Sequence, residues 1–129
     1  MCGFGRYPFG QTTPFPEICP YANGRRDASN VTAVIEHPAM PGLKKDDKMW
    51  HMYYDHVTPK AGPKGVVLAV DDTGASVVVA GESGKGKVIF DGNVNINDKD
   101  KEVPLAGFNA VLARGAVEWF TGVKLEEKQ

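Results

Sequence analysis

At 129 residues, 42% of them apolar, the chain is sized for a single domain with a modest core. Its 15 basic and 16 acidic residues are mixed along the length for a formal net charge of -1, which argues against a field that recruits nucleic acid or an anionic membrane. No apolar run approaches the ~20 residues that cross a bilayer, and the N-terminus lacks the basic-then-apolar order of a secretion signal, so a cytoplasmic origin is expected.

Residues 1–45 differ from the rest and read as an extended N-terminal arm, with 46–129 as the compact β domain. Six of the nine prolines (Pro8, Pro14, Pro16, Pro20, Pro38, Pro41) fall in the arm, and each fixes φ and removes a backbone donor, so neither helix nor central strand passes through it. Phe4, Tyr7, Phe9, Phe15 and Tyr21 crowd the first 21 residues, where Arg6 and Glu17 are the only charges. A disordered linker is polar and poor in aromatics, so this segment is built to lie on an apolar surface, either the protein's own sheet or a partner. The polar stretch Gly24–Asn30 reads as a loop, and Val31–Glu36 as a first strand ended by His37-Pro38. Lys44–Lys48 is a mixed charge run for solvent, and the aromatic Met49–Val57 reads as one strand.

The centre of the chain is Lys64–Gly92. Its apolar runs Val66–Val70, Val77–Ala80 and Val88–Phe90 are short, rich in Val and bounded by Gly, Asp or Ser, which predicts strands. Asp71-Asp72-Thr73-Gly74 joins the first two as an antiparallel hairpin. Asn93–Asn97 alternates as a half-exposed strand would. Leu105, Phe108, Val111 and Leu112 then follow helical spacing, with Gly115 placed as the C-terminal stop, and Ala116–Val123 reads as a last strand. The fold class expected is mainly β with one short helix.

The chemistry of known sites is poorly matched. Gly81–Lys87 carries the GxxxxGK part of a phosphate loop, but Val88 replaces the Ser or Thr that holds magnesium and a strand follows where a helix N-terminus is needed. His37, His51 and His56 lack the helical zinc spacing, so no metal and no cofactor are expected. Asp55-His56 has no nucleophile in a recognisable elbow, so no catalytic residue is assigned and an enzyme is not expected. Cys2 and Cys19 both lie in the arm, outside the expected core. They are thiols in a reducing cytoplasm, and in an oxidising exterior they are placed to link neighbouring chains or each other across a 16-residue loop.

Taken together, GVVLAVDDTGASVVVA, VIFDGNVNI and FNAVLARGAVEW resemble the C-terminal part of the phage head decoration proteins of the lambda D-like family. The likeness lies in Gly65–Val70 with Asp71 and Asp72, in Val88–Asn95 and in Val111–Val117, and spans about half the chain. It implies a small β-barrel or β-tulip-like domain that forms a homotrimer on the outer surface of a capsid after assembly in the host cytoplasm. It also implies an N-terminal arm reaching onto the major capsid protein, for which Phe4, Tyr7, Phe9, Phe15 and Tyr21 are the candidate contacts. Trp50, Tyr53, Trp119 and Phe120 are the candidate oligomer contacts. The alternative is a small β-barrel module of a cellular complex that binds a protein or sugar through Trp50, Tyr53, Tyr54, Trp119 and Phe120; an enzyme using Asp55, His56 or the Lys85/Lys87 loop is a third option.

Overall fold

The computed structural model describes residues 2–3, 13–27, 30–50, 55–92 and 107–125. In chain order the elements are β1 (Cys2–Gly3), β2 (Ala22–Asp27), β3 (Asn30–Ala33), β4 (Lys48–Trp50), β5 (Asp55–Pro59), β6 (Val66–Asp71), β7 (Ser76–Ser83), β8 (Gly86–Asp91) and α1 (Gly107–Thr121). The protein is mainly β, with one helix among the described residues. A six-stranded sheet runs in the order β1-β8-β7-β6-β3-β4, and β2 and β5 form a separate antiparallel ribbon.

The three Val-rich runs make the middle of the large sheet. β6 and β7 pair antiparallel across the acidic link, where Gly74 takes a φ of 85° that side chains resist. Asp71 sets that turn: its buried carboxylate Oδ1 accepts from Thr73 N at 2.8 Å, Thr73 Oγ1 at 2.6 Å and Ala75 N at 3.0 Å. The Gly81–Lys87 stretch is mostly strand, because Ser83 pairs with Gly86 and leaves only Gly84-Lys85 as the link. Gly84 has a φ of 57°, the positive first position that suits a two-residue hairpin.

Four consecutive residues of β7, Val77–Ala80, are buried, because both faces of the sheet are covered. On one face Phe108, Leu112 and Ala116 of α1 pack with Leu68, Val78, Ala80 and Ile89. On the other, Ile18, Cys19 and Ala22 pack with Val57, Val79, Val88 and Phe90. The ribbon is tied to the large sheet through Gly92, whose N–H donates to Val77 O (2.8 Å) and whose carbonyl accepts from Val57 N (3.0 Å). A Cβ at Gly92 would lie 2.2 Å from Val57 O, so no other residue fits this junction.

Several expectations are corrected. The polar Gly24–Asn30 stretch is not all loop: Ala22–Asp27 is β2, since a two-stranded ribbon needs backbone pairing with β5 more than apolar side chains. Met49–Val57 is not one strand; β4 joins the large sheet beside β3, whereas β5 belongs to the ribbon. The division at residue 45 does not separate arm from core, because β3 pairs with β6 and Ala39 and Met40 are buried in the main core. Cys19 is likewise not outside the core but fully buried in the second cluster.

The largest correction concerns the end of the chain. The helix does not stop at Gly115, and Ala116–Val123 is not a strand: α1 runs on to Thr121. Gly115 is present for packing, since a Cβ there would lie 1.9 Å from Ala39 O and 2.5 Å from Pro41 Cδ. The true terminator is Gly122, with a φ of 75° and its N–H donating to Glu118 O at 2.8 Å, the single-bond left-handed cap. The expected strand at 93–97 lies outside the described residues.

Candidate interaction surface

The C-terminal end of α1 gathers more chemistry than any other described part of the surface. Lys87, reaching across from β8, donates from Nζ to Trp119 O at 2.9 Å, a cation on a carbonyl of the last helical turn where the helix dipole favours it. The same ammonium stands 5.7 Å from the Trp119 ring centroid. Trp119 also meets His37 edge-on at 4.7 Å and stacks on Phe120 at 5.7 Å. The His37 Nδ1 accepts from Ala39 N at 3.0 Å, which fixes the ring in the turn before the helix-packing segment. Burial holds the His37 pKa below its ordinary value of 6.5, with Glu82 opposing, so the ring is neutral at pH 7.

Beyond Gly122 the chain folds back on the helix. Glu118 Oε2 accepts from Leu125 N at 2.7 Å and from Arg114 Nε at 3.3 Å, and Arg114 donates to Leu125 O at 2.7 Å. The Leu125 N–H, and after it Arg114 and Lys124, hold the Glu118 carboxyl below the usual range against the opposing effect of burial. Its second oxygen, Oε1, is buried with no hydrogen-bond partner. Pro38, Lys87, Glu118, Trp119, Gly122 and Lys124 line a cavity of 210 Å³ at this point.

Four large apolar side chains near the end of α1 are exposed beside polar Thr121 and Lys124. Val117 is 47% exposed, Phe120 37%, Val123 59% and Leu125 39%. Val117 lies about 100° round the helix from Ala116, whereas Phe120 follows Ala116 by four residues and continues the Phe108–Leu112–Ala116 row one turn further, where it is exposed. Large apolar side chains grouped on one solvent-facing surface mark a contact site more often than singly scattered ones do.

The structure places the remaining candidate residues as follows. Phe15 is half-buried against the protein's own sheet, edge-on to Phe90 at 6.4 Å, and with Pro14, Pro16 and Ile18 it lines a cavity of 260 Å³. Tyr21 is 40% exposed. Trp50 ends β4, on the opposite edge of the sheet from β1. Cys2 is in β1, at the edge beside β8. Phe4, Tyr7, Phe9, Tyr53 and Tyr54 lie outside the described residues. Asp55 and His56 are in β5 of the ribbon. Among the described residues no three His, Cys, Asp or Glu side chains group as metal ligands, and no helix is long and apolar enough to cross a membrane.

Sequence reasoning missed the Arg114–Glu118–Leu125 knot and the part played by His37. The i,i+4 spacing of Arg114 and Glu118 was the available signal, because it continues the helix through Gly115. No family model, no curated protein and no solved structure matches the chain.

Proposed function

We propose that the chain is a structural binding protein of the capsid-decoration type: it attaches to the outer surface of a phage head as a homotrimer and stabilises the shell through its N-terminal arm and the major capsid protein. The exposed apolar group Val117, Phe120, Val123 and Leu125 is the observation that carries this reading, since a small domain with both sheet faces already covered has no internal use for it. The resemblance over residues 65–70, 88–95 and 111–117 supplies the kind of assembly. The work is mechanical: extended arms add backbone hydrogen bonds to a partner, and three arms on one trimer raise each other's effective concentration, so weak contacts hold together.

Co-sedimentation of the purified protein with undecorated heads, alongside light scattering of the protein alone, tests this. Binding to the heads by wild type, and loss of self-association in a Val117→Ser/Phe120→Ser variant that keeps the wild-type circular dichroism, are expected. A strictly monomeric protein that ignores the heads would refute it. The second reading, a protein- or sugar-binding module, is favoured by the cavity beside Trp119 and the unpartnered Glu118 oxygen. A monomer whose Trp119 fluorescence shifts with a glycan would move the assignment there.

A further inference from the structure

The sequence contains two steps in which an Asn or Asp precedes Gly, Asn23-Gly24 and Asp91-Gly92, and the fold places them differently. Such a step is open to attack by the glycine amide nitrogen on the carbonyl carbon of the preceding side chain, because no Cβ crowds the approach. The attack requires that nitrogen to be free of other bonds and its peptide free to turn. Gly92 fails on both counts: its N–H donates to Val77 O at 2.8 Å, and it is buried where a Cβ would lie 2.2 Å from Val57 O. Asn23, by contrast, is exposed in β2. The register with β5 sets Ala22 opposite Pro59 and Asn23 opposite Thr58, and just before them Lys60 N donates to Tyr21 O at 2.9 Å. Hydrogen bonding alternates along an antiparallel ladder, so Tyr21 and Asn23 turn their backbone groups toward β5 and the Gly24 N–H turns away from it. β2 and β5 form a two-stranded sheet, and among the described residues no strand lies on that outer side. The ladder is also interrupted immediately beyond, since the register shifts between Asn23 and Arg26 and β2 carries one residue more than β5 there.

From these placements we infer that Asn23 is a site of spontaneous deamidation and isoaspartate formation, a modification that loosens the β2–β5 ribbon. Hydroxide removes the Gly24 amide proton, and the nitrogen attacks Asn23 Cγ. As the N–Cγ bond forms, the bond from Cγ to Nδ2 breaks; Nδ2 leaves as ammonia, taking up one proton in place of the one lost from Gly24. A cyclic succinimide is left. Water then adds to one of its two carbonyls: opening at Cγ gives aspartate, and opening at the main-chain carbonyl gives isoaspartate, in which the chain runs through the former side chain. Overall one NH is exchanged for one O, and nothing is oxidised or reduced. The isoaspartate form adds a carbon to the main chain, so the pairing of residue 23 with Thr58 falls out of step with that of Ala22 and Pro59. Ala22 is buried in the second core cluster beside Ile18 and Cys19, so the loosening reaches the residues that hold this segment against the large sheet.

The test uses the full chain, kept folded at mildly alkaline pH and sampled over days, beside the same chain in urea. Expected in the folded protein are a mass gain equal to the exchange of NH for O in the tryptic peptide 7–25, a halt of Edman degradation of that peptide at residue 23, and its methylation by isoaspartyl methyltransferase. The aged protein melts roughly 4 °C below the fresh one, the shift that about one lost backbone hydrogen bond gives in a chain of this length. Asn23→Gln, whose longer side chain must close a larger ring, keeps the melting temperature of the fresh wild type and shows none of these changes on ageing. A folded protein whose peptide 7–25 keeps its mass while the urea sample gains it would overturn the inference, because the ribbon then holds Gly24 after all. Isoaspartate forming at Asp91 as fast as at Asn23 would overturn it too, since hydrogen bonding at the glycine then does not select the site, and an aged protein as stable as the fresh one would refute the loosening.

Discussion

The packing of α1 can be tested with a single methyl group at Gly115. On an open helix face Gly→Ala stabilises by about 1 kcal/mol, because glycine has the greater backbone freedom to lose. Here the added Cβ would lie 1.9 Å from Ala39 O, 2.3 Å from Ala39 C and 2.5 Å from Pro41 Cδ. Two of these are backbone atoms and the third is in a ring bonded to the backbone, so no side chain can rotate away. The helix and the 39–41 turn must separate by more than an ångström, which loosens Met40, Phe108, Leu112 and Ala116 together. Overpacking of this kind costs about 3 kcal/mol, the upper part of its usual range, which leaves a net loss of about 2 kcal/mol after the helix gain. In a chain of this length that lowers the melting temperature by roughly 7 °C. Gly122→Ala is the comparison: its φ is 75° and nothing lies within 4 Å of the new Cβ, so only left-handed strain of about 1 kcal/mol applies. Thermal and urea unfolding of both variants decide the matter. A Gly115→Ala protein as stable as wild type, or more so, would mean that α1 does not pack backbone to backbone on Ala39.

Two further outcomes are expected. Asp71→Ala removes the acceptor of three hydrogen bonds in the β6–β7 turn and should destabilise by about 1–3 kcal/mol in urea unfolding, with the loss appearing first as faster amide exchange at Thr73 and Ala75. His37 has a folded pKa below its unfolded value of 6.5, so the unfolded chain binds the proton first. Its contribution is complete above that value and is lost as the pH falls from about 6.5 through the folded pKa. The wild type should therefore lose more stability than His37→Asn between pH 7.5 and 5.5, and equal losses in the two proteins would show that His37 is not the group responsible.

The centre of the fold was legible because its pattern has one physical meaning. Val66–Val70, Val77–Ala80 and Val88–Phe90 are too short for helices and too β-branched to favour one, and the glycines between them sit where the turns need positive φ. The ribbon was not legible for the opposite reason. The segment Asn23–Asp27 holds no apolar residue, and its strand geometry comes from pairing with residues 55–59, a partner some thirty residues away that no local pattern reports. Gly115 misled because two demands, a left-handed cap and a close backbone approach, select the same residue. Only the neighbouring Ala39 distinguishes them, and it is distant in sequence.

The same ambiguity governs the candidate surface. Trp119 and Phe120 were picked out for being large and aromatic, but placing them on a strand assigns them to opposite faces, one in and one out. On a helix they are about 100° apart, which puts Trp119 over His37 and Lys87 at the edge of the core and Phe120 on the outside. A sequence shows apolar residues at helical spacing without saying which of them the core consumes. That becomes countable only when the inward positions are filled: Phe108, Leu112 and Ala116 complete the packing against the sheet, and Gly115 leaves no room for more. Val117, Phe120, Val123 and Leu125 are then a surplus left facing water. Burying such side chains is worth about 1.5–3 kcal/mol each when a partner covers them fully. Since 37–59% of each side chain is still exposed, covering the group gains roughly half of that per residue, a few kcal/mol in all before the cost of association is met.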